Sequence, residues 1–349
     1  MNQEYRRFLI VRTDRIGDVI LTLPMARALK LRRPDAHVAV LIRSYTAELA
    51  RADRNVDEII ALDGGRPSWT GTIARLREAK FDVVFHTHPM ARLAFITLLA
   101  GIPVRVGTGF RWYSFLFNRR VYEHRKDAAR HELEYNLNLL GAVGCEFDPA
   151  GLRPEIDTGS VPAARVDDVL AGAGVPAGNR LIILHPGSGA SARDWHWRKF
   201  ASLAEKLAAR EGFAVLITGG RGEEPLVEEL RSACRGTTYA VVGTTGLLEY
   251  AALARRAAVF VANSTGPLHI AAAVGTPVVG LYPRIRPQSA ARWGPYTDRK
   301  VIISPRDVPE KCALCRGGPG EPCECMERIP VDEVYGAVLK LAGIGTAVL

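Results

Sequence analysis

The sequence contains no run of about 18 apolar residues, so it predicts no transmembrane helix. Its first residues lead directly into an apolar strand and lack the hydrophobic region and cleavage site of a secretory signal. We therefore expect a cytoplasmic protein. Helix-turn-helix spacing and aromatic RNA-binding motifs are also missing, so nucleic acid is not an expected partner. The net charge of +9 instead favours an anionic substrate or membrane surface.

Cysteine is scarce, with six residues in the chain, but four of them lie close together. They form a CxxC pair and a CxC pair: Cys312, Cys315, Cys323 and Cys325. This spacing is typical of metal ligands, and in a cytoplasmic protein a zinc or redox site is more expected than structural disulfides. Zinc ribbons usually repeat the CxxC pair, however, so the pattern allows a structural zinc site without requiring one.

Two domains are expected from the length of 349 residues and from the alternation of strands and helices in both halves. A segment rich in proline and glycine separates the halves. We predict an acceptor-binding domain at 1–160, a linker at 161–178, a donor-binding domain at 179–330, and a C-terminal helix and tail at 331–349. The pattern indicates an α/β fold with two Rossmann-like parallel sheets facing each other across a cleft.

The first strand, Phe8–Val11, is followed by a glycine-containing loop and an apolar helix that Pro24 should interrupt. Asp14 and Asp18 lie in and just after this loop, at the carboxyl end of the strand. Either could act as a general base, and Asp18 could equally cap the helix. The loop therefore predicts a carboxylate site without deciding its role.

The segment Val259–Gly275 predicts a strand, a turn and a helix. Ser264, Thr265 and Gly266 form the turn, and His269 follows near the start of the helix. Such a helix start presents unpaired N–H groups and the positive end of the helix dipole, which suit a phosphate or diphosphate. An ordinary capped helix fits the same residues.

Two further loops in the second half have the composition of nucleotide sites. His185–Trp195 contains Ser188, Gly189 and Arg193. Small residues let a phosphate approach the backbone, and Arg193 could pair with its charge. Glu223 follows a strand and a glycine-rich turn, where a carboxylate often binds ribose hydroxyls. It could instead complement the positive end of the next helix.

Arginine and aromatic residues are interleaved between residues 105 and 131. Such a stretch is typical of a solvated face over an apolar patch, but it could also hold an anionic acceptor. We therefore take four arginines as candidate acceptor-binding residues, two from this stretch and two from the first loop: Arg111, Arg120, Arg12 and Arg15.

Four motifs, in their order along the chain, resemble those of glycosyltransferase family 9, the heptosyltransferases. They are RTDRIGD at 12–18 followed by VILTLP, HPGSG at 185–189 with RDW at 193–195, TGG at 218–220 with Glu223, and STGPLH at 264–269 through GTP at 275–277. The resemblance implies a GT-B fold and transfer of heptose from ADP-heptose to the inner core of lipopolysaccharide. It also implies inversion at the anomeric carbon and no required metal.

The resemblance assigns roles by position. Asp18 matches the catalytic base, and Arg193 stands where the family commonly has a lysine that contacts the donor phosphates. The other matched donor-binding positions are Glu223 for the ribose, Thr245 for the adenine, and the backbone and side chains of Ser188, Gly189, Ser264, Thr265, Gly266 and His269. Ser264 replaces an aspartate that is common in the family, a departure that bears on the donor sugar.

We therefore expect an inverting, metal-independent glycosyltransferase that moves heptose or a related sugar from an ADP-sugar to a lipopolysaccharide core or similar anionic glycan. The expected partners are this donor, this acceptor and, peripherally, the cytoplasmic face of the inner membrane. Two alternatives remain. A sugar-nucleotide epimerase on the same fold would need several acid or base groups around the nucleotide, and a non-catalytic sugar-nucleotide-binding protein would need none.

Overall fold

The computed structural model describes residues 5–62, 69–306 and 323–344. The chain divides into two compact units. The first comprises Met1–Arg125 and Arg130–Glu155, and the second comprises Lys126–Ala129 and Ile156–Leu349. The domain and linker boundaries expected from the sequence stay a prediction. Within the described ranges, no helix is both long enough and apolar enough to cross a membrane.

The first unit is built on a six-stranded parallel sheet in the order β3-β2-β1-β4-β5-β6. Its strands are β1 (Arg7–Val11), β2 (His37–Arg43), β3 (Glu58–Leu62), β4 (Val83–His86), β5 (Val104–Thr108) and β6 (Arg119–Val121). Its helices are α1 (Ile16–Ile20), α2 (Pro24–Arg32), α3 (Ala47–Arg51), α4 (Trp69–Glu78), α5 (Ala91–Leu99) and α6 (Glu132–Gly141). Pro24 is the first residue of α2, so the interruption predicted at this position is confirmed.

Strand β2 shows why helices cover both faces of this sheet. Ala39 and Leu41 belong to a buried cluster that includes residues of α4 and α5. Val40 and Ile42 belong to a second cluster that includes residues of α1 and α3. Because successive side chains of a strand point to opposite faces, a strand that is apolar throughout requires cover on both sides.

The second unit has its own six-stranded parallel sheet, in the order β12-β11-β10-β7-β8-β9. Its strands are β7 (Arg180–His185), β8 (Phe213–Gly219), β9 (Tyr239–Val242), β10 (Val259–Asn263), β11 (Val278–Leu281) and β12 (Lys300–Ile303). Its helices are α7 (Ala163–Gly172), α8 (Trp197–Ala208), α9 (Glu224–Ala233), α10 (Leu247–Arg255), α11 (Gly266–Ala273), α12 (Ala290–Trp293), α13 (Glu324–Glu327) and α14 (Val331–Leu341). The predicted α/β fold with two parallel sheets is confirmed.

The strands β6 and β12 are not among those expected from the sequence. Both lie at the edge of their sheet and are only three and four residues long. Arg119 and Arg120 of β6 are exposed, as is Lys300 of β12. An edge strand pairs on one side and commonly carries charge, so it lacks the apolar run that identifies a central strand.

Two glycines of the second unit give opposite expectations. Gly275 follows α11 with a φ of 84°, and a Cβ there would meet no atom within 4 Å, so alanine adds only the cost of a left-handed backbone. We expect Gly275→Ala to lower the free energy of unfolding by about 1–2 kcal/mol in urea denaturation. Gly336 lies inside α14 with equally open space. Gly336→Ala should raise the free energy of unfolding by up to about 1 kcal/mol. Changes of the same sign in the two variants would contradict this prediction.

Candidate active site

The strand order of the first sheet reverses at β1, with β2 on one side and β4 on the other. The loops that leave two such strands diverge, and ligands of parallel α/β sheets bind in the crevice between them. Here the first loop carries Arg12 and Asp14, and the second carries Thr87 and His88. Thr87 Oγ1 donates to the carbonyl oxygen of Val11 at 2.8 Å, which joins the ends of the two strands. The predicted carboxylate loop therefore lies at a ligand-binding position of the fold.

Arg12 lies at the centre of this site among three carboxylates. Its Nε donates to Asp14 Oδ1 at 2.7 Å, its Nη1 donates to Glu132 Oε1 at 3.1 Å, and its Nη2 donates to Asp18 Oδ1. The side chain of Arg12 is 3% exposed. Burial alone would lower the pKa of Arg12, but the three carboxylates outweigh it and raise the pKa. The charge of Arg12 is therefore balanced by carboxylates of the protein itself. An arginine that binds an anionic acceptor would instead be exposed to it.

A chain of hydrogen bonds connects this cluster to α6. Arg125 Nη1 donates to Glu132 Oε1 at 2.5 Å and to Asn136 Oδ1 at 3.1 Å. Asn136 Nδ2 donates to Thr22 Oγ1 at 3.1 Å, and Thr22 Oγ1 donates to the backbone oxygen of Asp18 at 2.8 Å. These bonds connect α6 to the end of α1 and thereby help to position Asp18.

Asp18 is the third residue of α1, whose N-cap is Arg15. Its side chain contacts Arg12, so the capping role that the sequence left open is not observed. Burial raises the pKa of Asp18 to about 6; Arg12 opposes this rise, while Asp14 and Glu132 add to it. A carboxylate with such a pKa is mostly ionised at neutral pH and is a stronger base than an exposed aspartate.

Tyr45 and His88 lie beside Asp14, although neither is among the candidate residues above. The Tyr45 hydroxyl donates to the backbone oxygen of Asp14 at 2.7 Å, and His88 Nδ1 lies 3.4 Å from Asp14 Oδ2. Burial lowers the pKa of His88, which favours its neutral form. His86 points into the core instead, with Nε2 3.0 Å from Thr97 Oγ1. Two residues that are two apart in a strand point to the same face. Strand β4 ends at His86, so His88 lies beyond it and is directed to the site while His86 is directed to the core.

The three other candidate arginines of the first unit are exposed. Arg15 adjoins the carboxylate cluster through its place at the start of α1. Arg111 and Arg120 lie after β5 and within β6, and Arg120 Nε donates to the carbonyl oxygens of Ser114 and Phe117 at 3.0 and 3.1 Å. Of these three, Arg15 has the position that suits an acceptor held near Asp18.

The second sheet reverses its order at β7, between β10 and β8. All its strands are parallel, so the loops after β7, β8, β9 and β10 leave the same edge. These loops and the start of α11 carry the predicted donor-binding residues: Ser188, Gly189 and Arg193 after β7, Glu223 after β8, Thr245 after β9, and Ser264, Thr265, Gly266 and His269 after β10. The topology thus brings them to one edge of one sheet.

Asn263, the last residue of β10, holds both ends of the loop after β7. Its Oδ1 accepts from the Trp195 N–H at 2.9 Å, and its Nδ2 donates to the carbonyl oxygens of Pro186 and Trp195 at 2.8 and 3.3 Å. Asn263 and Trp195 are fully buried, and Arg193 is buried two residues before Trp195. The loop is therefore anchored to the sheet by an amide side chain that the sequence analysis did not select.

A tight turn forms the tip of the same loop. Gly189 and Ala190 have φ values of 55° and 57°, and the Ser188 carbonyl accepts from the N–H three residues later at 3.1 Å. Two positive φ values at the centre of such a turn define type I′. Ser188 Oγ donates to Asp194 Oδ2 at 3.0 Å. Burial raises the pKa of Asp194 to about 7, which makes it a further titratable group of this edge.

Glu223 occupies the N-cap of α9 and accepts from the Gly220 N–H through Oε2 at 2.7 Å. A Cβ at Gly187 would overlap the Glu223 carboxylate, so glycine is required there. His185 Nε2 lies 3.8 Å from Glu223 Oε2. The carboxylate therefore lies between the loop after β8 and the end of β7, whichever of its two predicted roles it has.

His185 belongs to a buried polar group beneath Glu223. Its Nδ1 lies 3.0 Å from Thr218 Oγ1 and 3.3 Å from the Tyr250 hydroxyl. Burial lowers the pKa of His185 to about 4, although Glu223 acts in the opposite direction. The imidazole is therefore neutral near pH 7, and its hydrogen-bonding neighbours are Thr218 and Tyr250.

The turn after β10 leads directly into α11. Thr265 is the N-cap in an extended conformation, its side chain makes no capping hydrogen bond, and Gly266 and Pro267 begin the helix. Backbone N–H groups at this start are thus available to an anion. Ser264 hydrogen-bonds the buried Tyr282, and His269 is buried in the helix. The start of α11 therefore has the backbone groups that suit an anion.

The model of glycosyltransferase family 9 (heptosyltransferase) matches residues 69–317, well over half of the chain. The chain belongs to glycosyltransferase family 9. Of the three functions expected from the sequence, membership of this family supports the glycosyltransferase.

Related proteins agree with this membership. Lipopolysaccharide heptosyltransferase 3 of Escherichia coli is 25% identical over 338 residues, which cover 93% of this chain and 96% of that protein. A family 9 glycosyltransferase of Veillonella parvula has a similar structure, with a TM-score of 0.82, 23% identity and 98% of each chain covered. The ADP-heptose lipopolysaccharide heptosyltransferase II of E. coli has a TM-score of 0.75 at 21% identity, over 96% of this chain and 98% of that one. The predicted GT-B fold is confirmed.

The predicted zinc site of this glycosyltransferase gains no support. Cys312 and Cys315 lie outside the described residues. Cys323 and Cys325 are buried in the apolar core of the second unit, with Met326 and residues of α14. Among the residues that are described, no three His, Cys, Asp or Glu side chains are grouped to hold a metal ion.

The Asn263 anchor can be tested by its removal. Asn263→Ala leaves a buried N–H and two carbonyl groups without this partner, and each buried unsatisfied group costs about 1–3 kcal/mol. We expect a loss of about 2–4 kcal/mol in the free energy of unfolding, measured by urea denaturation. Asn179, an exposed residue of the same unit, is the matched control, and Asn179→Ala should change stability by at most about 0.5 kcal/mol. Similar losses in both variants would refute the anchor.

Proposed function

We propose that this glycosyltransferase transfers heptose from ADP-heptose to a hydroxyl group of a lipopolysaccharide-core acceptor, with inversion at the anomeric carbon. The donor and acceptor are supported by the names of the E. coli relatives, a lipopolysaccharide heptosyltransferase and an ADP-heptose lipopolysaccharide heptosyltransferase. The observation that carries the proposal is Asp18, a buried carboxylate of raised pKa at the switch point of the first sheet.

In this proposal the second unit binds the donor. The diphosphate lies against the N–H groups of Gly189 and Gly266, and Arg193 balances its charge. Glu223 accepts hydrogen bonds from the ribose, and its carboxylate is already oriented by the Gly220 N–H. Thr245, half-buried in the loop after β9, contacts the adenine. These roles are those that the resemblance to the family implies, and the common edge at which the loops end supports them.

The first unit supplies the base. Asp18 takes the proton of the acceptor hydroxyl while its oxygen bonds to the anomeric carbon, and the bond from that carbon to the diphosphate oxygen breaks. ADP leaves with the bonding electrons from the face opposite the attack, which inverts the configuration. Arg193 and the backbone N–H groups stabilise the charge that grows on the diphosphate, without a metal ion.

We further propose that Arg12 positions Asp18 instead of binding the acceptor, since its guanidinium is buried against three carboxylates. Arg15, exposed beside them, is the better candidate for contact with an anionic acceptor. An acceptor of the lipopolysaccharide type is anchored in a membrane, so transfer takes place at a membrane surface. The cytoplasmic location expected from the sequence stays a prediction.

Asp18→Asn should test the base. Asparagine keeps the shape of the side chain but cannot take the proton, so we expect turnover to fall by roughly 10²–10⁴-fold. Turnover is measured as ADP release from ADP-heptose with a lipopolysaccharide-core acceptor. ADP should still raise the thermal unfolding temperature as in the unchanged protein, because the donor residues belong to the second unit.

Asp14→Asn is the matched control for this substitution. Asp14 also contacts Arg12 and lies in the same loop, but it is not the proposed base. It should reduce turnover by less than about tenfold. Near-normal turnover in Asp18→Asn, or a larger loss in Asp14→Asn, would remove Asp18 from the role.

The pH dependence should report the same carboxylate. Asp18 acts as a base only when ionised, so kcat/KM should fall as pH drops through its raised pKa of about 6. Glu132 contributes to that rise. Glu132→Gln removes its negative charge and leaves Arg12 freer to stabilise the Asp18 carboxylate, so both effects lower the pKa. The acid limb of the pH–rate profile should therefore move to lower pH.

Glu134→Gln provides the control for Glu132→Gln. It removes the same charge from the same helix, and glutamine can replace Glu134 in its bond to the His131 N–H. Its acid limb should coincide with that of the unchanged protein. An acid limb that stays in place in Glu132→Gln, or moves equally in Glu134→Gln, would contradict the assignment to Asp18.

A further inference from the structure

Exposed apolar side chains are concentrated in one part of the first unit. Of the ten large hydrophobic side chains that are exposed in the described part of the chain, seven lie between residues 83 and 122. Four of these are aromatic and form what we call the aromatic patch: Phe110, Trp112, Phe115 and Tyr122. Trp112 is 75% exposed and Phe115 is 63% exposed. A concentration of this kind on a soluble surface marks an interaction site.

The backbone between β5 and β6 determines which rings face outward. Successive turns run from residue 111 to residue 117, each closed by a hydrogen bond to the N–H three residues later. In such turns, side chains three residues apart lie on the same side. Tyr113 and Leu116 are both buried against α5, and Trp112 and Phe115 are therefore both presented on the exposed side.

The other two rings of the patch are fixed by close packing. Phe110 meets Tyr122 edge to face, with ring centroids 5.4 Å apart, and stacks on His124 with centroids 4.0 Å apart. Gly109 makes this possible, because a Cβ there would overlap the Tyr122 ring. Phe110 and Tyr122 are thus held in place by their packing.

The same part of the chain is uniformly basic. From Val83 to Tyr122 there is no aspartate or glutamate, while there are five arginines: Arg92, Arg105, Arg111, Arg119 and Arg120. Arg111 and Arg119 are exposed, and neither forms an ion pair with the acidic residues that the structure describes. An exposed aromatic surface is therefore combined with unneutralised positive charge.

We propose that the aromatic patch docks this protein on an anionic phospholipid bilayer. Trp112, Phe115 and Tyr122 enter the headgroup region, where aromatic rings are favoured, and Arg111 and Arg119 contact the lipid phosphates. Glu123, which follows Tyr122, pairs with Arg130, so the exposed Arg111 and Arg119 keep their charge. Rings beside such arginines match this surface, which is apolar below an anionic layer. The assignment agrees with a membrane-anchored acceptor but rests on the patch alone, and its test needs neither donor nor acceptor.

The test is co-sedimentation of the full chain with vesicles of phosphatidylcholine containing about one-third phosphatidylglycerol. We expect binding to these vesicles and weaker binding to pure phosphatidylcholine. Trp112→Ser combined with Phe115→Ser should lower the partition coefficient by about tenfold or more on the anionic vesicles. Arg111→Gln combined with Arg119→Gln should lower it by roughly tenfold on the anionic vesicles and little on the neutral ones.

Both pairs of variants have matched controls in the same unit. Leu31 is 64% exposed on α2, and Leu31→Ser should change binding by less than about twofold. Arg51→Gln combined with Arg54→Gln removes the same charge from exposed positions elsewhere. Equal losses in these controls, or no binding by the unchanged protein, would overturn the proposal. So would a dimer that the Trp112 and Phe115 variant dissociates in sedimentation velocity, since the patch would then be an interface between two copies.

Discussion

Parallel strands all end at the same edge of a sheet, and the site of this glycosyltransferase depends on that constraint. Each of its two sheets reverses its strand order at one strand, β1 in the first unit and β7 in the second. Neighbouring loops diverge at these points, so polar groups there are open to a ligand while the strands beneath them are buried. The chain places its carboxylate cluster at the first reversal and its Asn263-anchored loop at the second.

Most of the fold could be predicted because its signals are local. A central strand of a covered sheet is apolar at every position, and glycine, proline and capping residues mark where it ends. Pro24, for example, indicated the end of one helix and the start of another from its lack of an N–H alone. The edge strands β6 and β12 were not predicted. A strand that pairs on one side only can carry exposed charged residues, so it lacks the continuous apolar run of a central strand.

The site could be predicted only as far as its loops, because its contacts join distant parts of the chain. From the sequence alone, Arg12 is expected to be a surface cation next to a strand. In the structure it is buried and pairs with Glu132, which is 120 residues away. From the sequence alone, Asn263 is expected to be a turn residue. Its anchoring role depends on a hydrogen bond to Trp195, 68 residues earlier. Strand order brings Asn263 next to the loop that ends at Trp195, and α6, which packs against α2, brings Glu132 to Arg12. The periodicity of a single element predicts neither arrangement.

The charges around Arg12 help to explain the raised pKa of Asp18, the proposed base, which is 14% exposed. Asp14, Asp18 and Glu132 carry three negative charges, and Arg12 and Arg125 carry two positive ones, so the ionised cluster has one negative charge in excess. A buried excess charge is unfavourable, and a proton on Asp18 removes it. Without Arg12, three carboxylates would share the site with Arg125 alone, and the pKa of Asp18 would be higher. With it, the pKa stays near 6, where the carboxylate is both ionised and ready to accept a proton.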